Sequence, residues 1–143
     1  MNKYQELKEK HQKEFNAFPF MFAFNQKQFD EGMKKLGLDP SDTDKIYRLG
    51  AGGYIRKTDV DAYREMINRH ARDHALAIES DPTGEGFIFD MFYYELNNHE
   101  YSYTGDLDDT LHALGYTYEE LKENKALLTG LNKAIKTITN DNE

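Results

Sequence analysis

Residues 86–103, GFIFDMFYYELNNHEYSY, hold seven of the chain's nineteen aromatic residues, and how this stretch folds decides the architecture. As a strand it fails. Phe87, Phe89, Met91, Tyr93 and Glu95 share one parity and Ile88, Asp90, Phe92, Tyr94 and Leu96 the other, so neither face is cleanly apolar. Wound at about 100° per residue it sorts well. Asp90, Tyr94, Asn97 and Tyr101 then form a narrow polar stripe, while Ile88, Phe89, Phe92 and Leu96 cover the other side with Glu95 and His99. A helix that is apolar around most of its circumference is buried by its neighbours. The stretch therefore predicts a central helix against which the rest of the chain packs.

Before it, residues 58–80 carry Val60, Tyr63, Ile67, Ala71, His74 and Ile78 at helical spacing, with Thr58 and Asp61 as a capping pair. The break at residues 80–86, SDPTGEG, is short enough to predict an antiparallel hairpin of this long helix with the central one. Residues 46–49 and 54–57 flank Gly50-Ala51-Gly52-Gly53 and read as a β-hairpin. Farther back, Phe18, Phe20, Phe22 and Phe24 alternate with Pro19, Met21 and Ala23, an edge-strand pattern. Asn25 with Gln28 then opens a short helix that buries Phe29, Met33 and Leu36 and closes at Gly37. Residues 2–16 form an amphipathic helix with Tyr4, Leu7, His11 and Phe15 in its stripe.

After the central helix, Asp106 caps a helix with Leu107, Leu111 and Leu114 inward and Gly115 at its end. Thr117 caps a last helical region running through Leu121, Leu127, Leu131 and Ile138, with Asn124 and Gly130 as interruptions. The expected fold is α+β and mostly helical. It is a single domain over residues 1–143, about five helices around the central one with a small antiparallel sheet from residues near 20–24, 46–49 and 54–57, and residues 139–143 as a frayed tail.

Composition narrows the function. Mean hydropathy is −0.85, 38% of residues are hydrophobic, and there is no cysteine. That excludes disulfides, thiolate zinc sites and cysteine nucleophiles. No apolar run approaches the roughly 20 residues of a membrane span, and the charged start MNKYQELKEK lacks a signal core, so a cytoplasmic protein is expected. Net charge is −8, unevenly spread: from Asp73 to Leu121 there are twelve carboxylates and no Lys or Arg, leaving +4 on the remainder. Such an asymmetry suits a surface directed at a basic partner, or simply a solvated acidic face.

Three clusters are candidates for chemistry. Asp106, Asp108, Asp109, Glu119 and Glu120 form the acidic surface proposed to meet a partner. His70, His74, Glu95 and His99, one helical turn apart in pairs, have the ligand types for Zn or Fe, or for a buried His–Glu pairing that needs no metal. Arg48, Arg56 and Lys57 border the glycine turn and suggest an anion site. Neither phosphate-loop spacing is present, however, and the glycines lead into a strand. With Arg64, Arg69 and Arg72 the same cations offer a direct nucleic-acid patch, against which the net charge argues. Serines occur only at 41, 80 and 102, none in a nucleophile elbow, so no hydrolytic triad is read.

Residues 29–37 (FDEGMKKLG), 43–47 (TDKIY), 52–58 (GGYIRKT) and 98–101 (NHEY) resemble an uncharacterised family of small acidic proteins from bacterial phages and mobile elements. The likeness runs from Phe22 to about Leu128. It supplies no catalytic residues. It implies an accessory protein of the kind that inhibits host defence, anti-CRISPR proteins included. The expected function is thus a non-enzymatic binding protein whose acidic surface inhibits or regulates a nucleic-acid-handling partner. The alternatives are a metal-binding or metal-dependent domain on the His/Glu cluster, and direct nucleic-acid binding by the basic patch.

Overall fold

The structure, a computed structural model, describes residues 2–141. In chain order the helices are α1 (Lys3–Ala17), α2 (Gln26–Lys35), α3 (Val60–Glu79), α4 (Phe87–Asn98), α5 (Tyr101–Thr104), α6 (Asp108–Leu114), α7 (Tyr118–Lys122) and α8 (Lys125–Asp141). The strands are β1 (Met21–Phe22), β2 (Ile46–Gly50) and β3 (Gly53–Arg56). The fold is mostly helical α+β. Its residues gather into two compact units, one of the chain up to His11 together with everything from Arg72, the other Gln12–Ala71. The division falls within α1 and α3.

The first unit is organised by α4. Ile88, Met91, Phe92 and Leu96 recur at three- and four-residue spacing and are fully buried. They pack with Leu127, Leu131, Ala134 and Ile138 of α8, Leu111 of α6, Leu121 of α7 and Tyr4 of α1. The main partner of α4 is therefore α8, where the short break at 80–86 had pointed to the long helix α3. A close backbone approach explains the choice. A Cβ on Gly130 would lie 2.5 Å from Ile88 Cγ2 and 2.7 Å from the Gly84 carbonyl oxygen, so a bare position on α8 seats the start of α4. Gly130 does not interrupt its helix at all. Asn124 does mark a break, its side chain accepting the Leu127 N–H at 3.1 Å as α8 begins.

The central helix is shorter than the periodicity implied. It ends at Asn98, and Glu100 takes a left-handed conformation (φ 58°) before the single turn of α5. The entry to α4 is fastened by Asp81, a buried carboxylate. It accepts hydrogen bonds from the backbone N–H groups of Gly84 (3.2 Å), Gly86 (3.0 Å) and Ile88 (2.9 Å). Two of those donors, Gly86 and Ile88, lie at the helix N-terminus, where amides otherwise lack partners. Thr117 caps α7, as expected, and with Glu120 completes a capping box, while the last helical region is divided into α7 and α8. Residues 139–141 of the expected tail are the end of α8, and residues 142 and 143 lie outside the described residues.

In the second unit an antiparallel sheet of order β1-β3-β2 packs with α2. Asn25 caps α2 through the Gln28 N–H at 2.8 Å, as its sequence signature implied. The first strand has only two residues. The alternation before it buries the smaller parity, Met21 and Ala23, and leaves Phe22 and Phe24 at 56% and 77% exposed. Gly32 makes this possible, because any Cβ there would collide with Met21. Phe15, Phe18, Phe20 and Tyr63 meet in an aromatic cluster with centroid distances of 4.5 to 5.9 Å. No helix among the described residues is long and apolar enough to cross a membrane.

Candidate functional site

The charge asymmetry follows the units. The first carries eight Lys and Arg against seventeen Asp and Glu, the second ten against nine. Within the acidic run, four of the twelve carboxylates serve the fold. Asp73 pairs with His11 at 2.9 Å, Asp81 caps α4, Asp90 accepts the Lys3 N–H at 2.9 Å, and Glu95 is buried beside Lys8. The other eight are exposed, and they include all five expected to meet a partner, Asp106, Asp108, Asp109, Glu119 and Glu120. They lie in and just before the first turns of α6 and α7. Carboxylates suit helix N-termini, where the backbone amides present partial positive charge. Two of the five also bond locally: Asp106 accepts the Asp108 N–H at 2.8 Å, and Glu120 accepts from Thr117. The same segment exposes Tyr103 at 89% and Tyr118 at 42%.

The four residues considered for a metal have separate partners. His70 Nε2 lies 3.2 Å from Glu14, which is also bridged by both terminal nitrogens of Arg69. Those hydrogen bonds, Arg69's first, hold the Glu14 carboxyl down at about 2. His74 instead lies edge-on to Tyr4 and Phe87, at 6.1 and 5.8 Å between centroids. Glu95 and His99 do meet, as their one-turn spacing implies, but loosely: His99 Nε2 is 3.8 Å from Glu95 Oε2 and, although this nitrogen is buried, it makes no hydrogen bond among the described residues. Glu95 takes its close contact from Lys8, whose ammonium is 3.1 Å away and also lies over the Tyr4 and Tyr94 rings. Tyr4, buried beside this carboxylate, has its phenol pushed above the ordinary range. Among the described residues no group of three or more His, Asp and Glu is arranged to hold a metal ion.

His74 makes stability depend on pH. Burial foremost, and then the charge of His11, hold its pKa below the ordinary imidazole value. The unfolded chain therefore takes up the proton first, near pH 6.5. The stabilisation is complete above that pH and is lost as pH falls through the folded-state value. Thermal melts should therefore begin to fall as pH is lowered below about 6.5. His74→Phe, which keeps a ring between Tyr4 and Phe87, should remove most of that loss; an unchanged pH slope in this variant would assign it to other groups. The Glu14 contribution lies in a separate window, below about pH 4.5.

Half of the basic cluster is engaged, Arg69 with Glu14 as described. Arg56 donates to Asp59 at 2.8 Å and to the Leu36 carbonyl at 3.3 Å, and Arg48 lies over Tyr54. Lys57, Arg64 and Arg72 are exposed. Gly50, Ala51 and Gly52 all have positive φ, which makes the glycine stretch the tight turn of the β2–β3 hairpin. Two features had no signal in the sequence. Lys8 reaches Glu95 across 87 residues, and a cavity of about 340 Å³ forms between the start of α1 and the polar side of α4. Compared with known proteins, residues 3–137 match one family model, which describes a family of unknown function. No curated protein and no solved structure matches the chain.

Proposed function

We propose, for a chain that belongs to the family of unknown function DUF7659, a non-enzymatic binding role in which its acidic segment engages a basic, nucleic-acid-handling surface of a protein partner. The observation that carries this reading is the exposure of Asp106, Asp108, Asp109, Glu119 and Glu120 in a segment that also exposes Tyr103 and Tyr118. Carboxylates held on short helices can occupy positions that a basic cleft offers to phosphates, and exposed tyrosines are common interface anchors. The partner is the kind expected of an anti-defence accessory protein from a phage or mobile element, in keeping with the resemblance.

The test compares the wild-type chain with a variant carrying Asp106→Asn, Asp108→Asn, Asp109→Asn, Glu119→Gln and Glu120→Gln. The changes Asp106→Asn and Glu120→Gln keep a side-chain oxygen as the local acceptor, so the variant should fold with a modest loss of stability from the helix N-termini, which its melting temperature checks. Both proteins are immobilised in host lysate and the bound proteins quantified. A near-stoichiometric nucleic-acid-binding partner should be held by the wild type and weakened at least about tenfold by the substitutions or by raising salt from about 50 to 200 mM. A partner held equally by both proteins and at both salts would refute charge-directed binding.

A further inference from the structure

Asn2 and Gln5 of the α1 end, with Tyr93, Tyr94, Asn97 and Asn98 of α4, line the cavity of about 340 Å³. In a unit with seventeen acidic and eight basic residues, no charged residue is among these six. Its wall is fixed in place. The Asn2 amide donates to the Asp90 carbonyl at 2.8 Å while its oxygen accepts the Gln5 N–H at 2.8 Å, and Gln5 donates to Glu9 at 3.1 Å, leaving the Gln5 oxygen free to accept. Tyr93 is stacked on Phe89 at 5.6 Å, and Tyr94 lies beneath the Lys8 ammonium. By contrast Asn97 and Asn98 are exposed, and their carboxamides make no hydrogen bond within the described residues.

We infer that this cavity binds a neutral saccharide. Each carboxamide presents a donor and an acceptor side by side, which matches adjacent sugar hydroxyls, each of which both donates and accepts. A tyrosine supplies an apolar ring for the C–H face of a pyranose together with a polar hydroxyl for its edge. The volume falls at the lower end of small-molecule sites, enough for one or two sugar rings. Phosphorylated ligands are disfavoured by the unit's large acidic excess and by Asn97 and Asn98 standing at the C-terminal end of α4, while the Lys3 and Gln5 N–H groups at the opposing α1 end already donate to Asp90 and Asn2.

The test titrates the isotope-labelled full chain with maltose, cellobiose, lactose and N,N′-diacetylchitobiose, each to about 20 mM, following backbone and side-chain amide resonances. At least one disaccharide should saturate with millimolar affinity and shift Gln5, Tyr93, Asn97 and Asn98. The double variant Asn97→Ala, Asn98→Ala, whose changes are at exposed positions, should bind it at least about tenfold more weakly with an unchanged melting temperature. Glucose 6-phosphate should bind more weakly than the neutral sugars. Three results would each overturn the inference: no disaccharide moving these resonances, equal binding by the double variant, or adenosine binding more tightly than every disaccharide.

Discussion

Gly84→Ala is expected to lower the unfolding free energy by about 4 kcal/mol, the combined cost of a left-handed alanine and an overpacked contact. Gly84 holds a φ of +80°, and a Cβ there would lie 1.9 Å from the Ala126 carbonyl oxygen, 2.8 Å from its carbon and 3.1 Å from the Gly130 nitrogen. All three are backbone atoms of α8, so no side chain can rotate away to make room. Relief requires the 80–86 turn to leave α8, and the Asp81 hydrogen bonds to Gly84, Gly86 and Ile88 hold that turn to α4. Urea unfolding followed by circular dichroism measures the loss. A change below about 1 kcal/mol would show that α8 slides aside at little cost, and that the α4–α8 contact is not the rigid one described.

Phe92→Ala should cost a similar amount, about 3 to 5 kcal/mol. Phe92 is fully buried in the middle of α4, in the cluster with α1, α6, α7 and α8. Removing the ring forfeits its transfer free energy and leaves a space that four surrounding helices cannot all close. Such a loss is a large share of the roughly 5 to 15 kcal/mol typical of a whole domain, so the variant should be partly unfolded at about 37 °C. Phe92→Leu, which keeps most of the volume, separates packing from helix propensity and should cost much less. Equal effects of the two substitutions would mean that the site is not tightly packed.

The central helix was legible because burial on nearly every side leaves a sequence trace, a run of large apolar residues that fits no strand. Its partner was not. Glycine in a helix reads as a weak point, and only the tertiary contact reveals Gly130 as the surface on which Ile88 and the Gly84 carbonyl rest. The Phe18 to Phe24 alternation was visible, but not which parity faces inward, since that depends on Gly32 making room for Met21. For the candidate sites, the one-turn relation of Glu95 and His99 could be counted along the helix. Nothing local signals Lys8, which neutralises the same carboxylate from another helix, or Tyr4 and Phe87, which enclose His74 in an aromatic setting. The acidic run was plain as a total. Its division into four structural and eight exposed carboxylates depends on backbone amides and cations whose positions exist only once the chain is folded.

The first unit draws on both ends of the chain, and this shapes how the protein is made. Asn2 bonds to the carbonyl of Asp90, 88 residues later. At a synthesis rate of about 5 to 20 residues per second, the first turns of α1 wait roughly 4 to 18 s before that partner exists, and longer before α8 completes the core. Gln12–Ala71, by contrast, has all its contact partners in hand once Ala71 has been made. At that point a nascent chain still carries Tyr4 without the α4 and α8 residues it packs with, an apolar contact left open until they emerge.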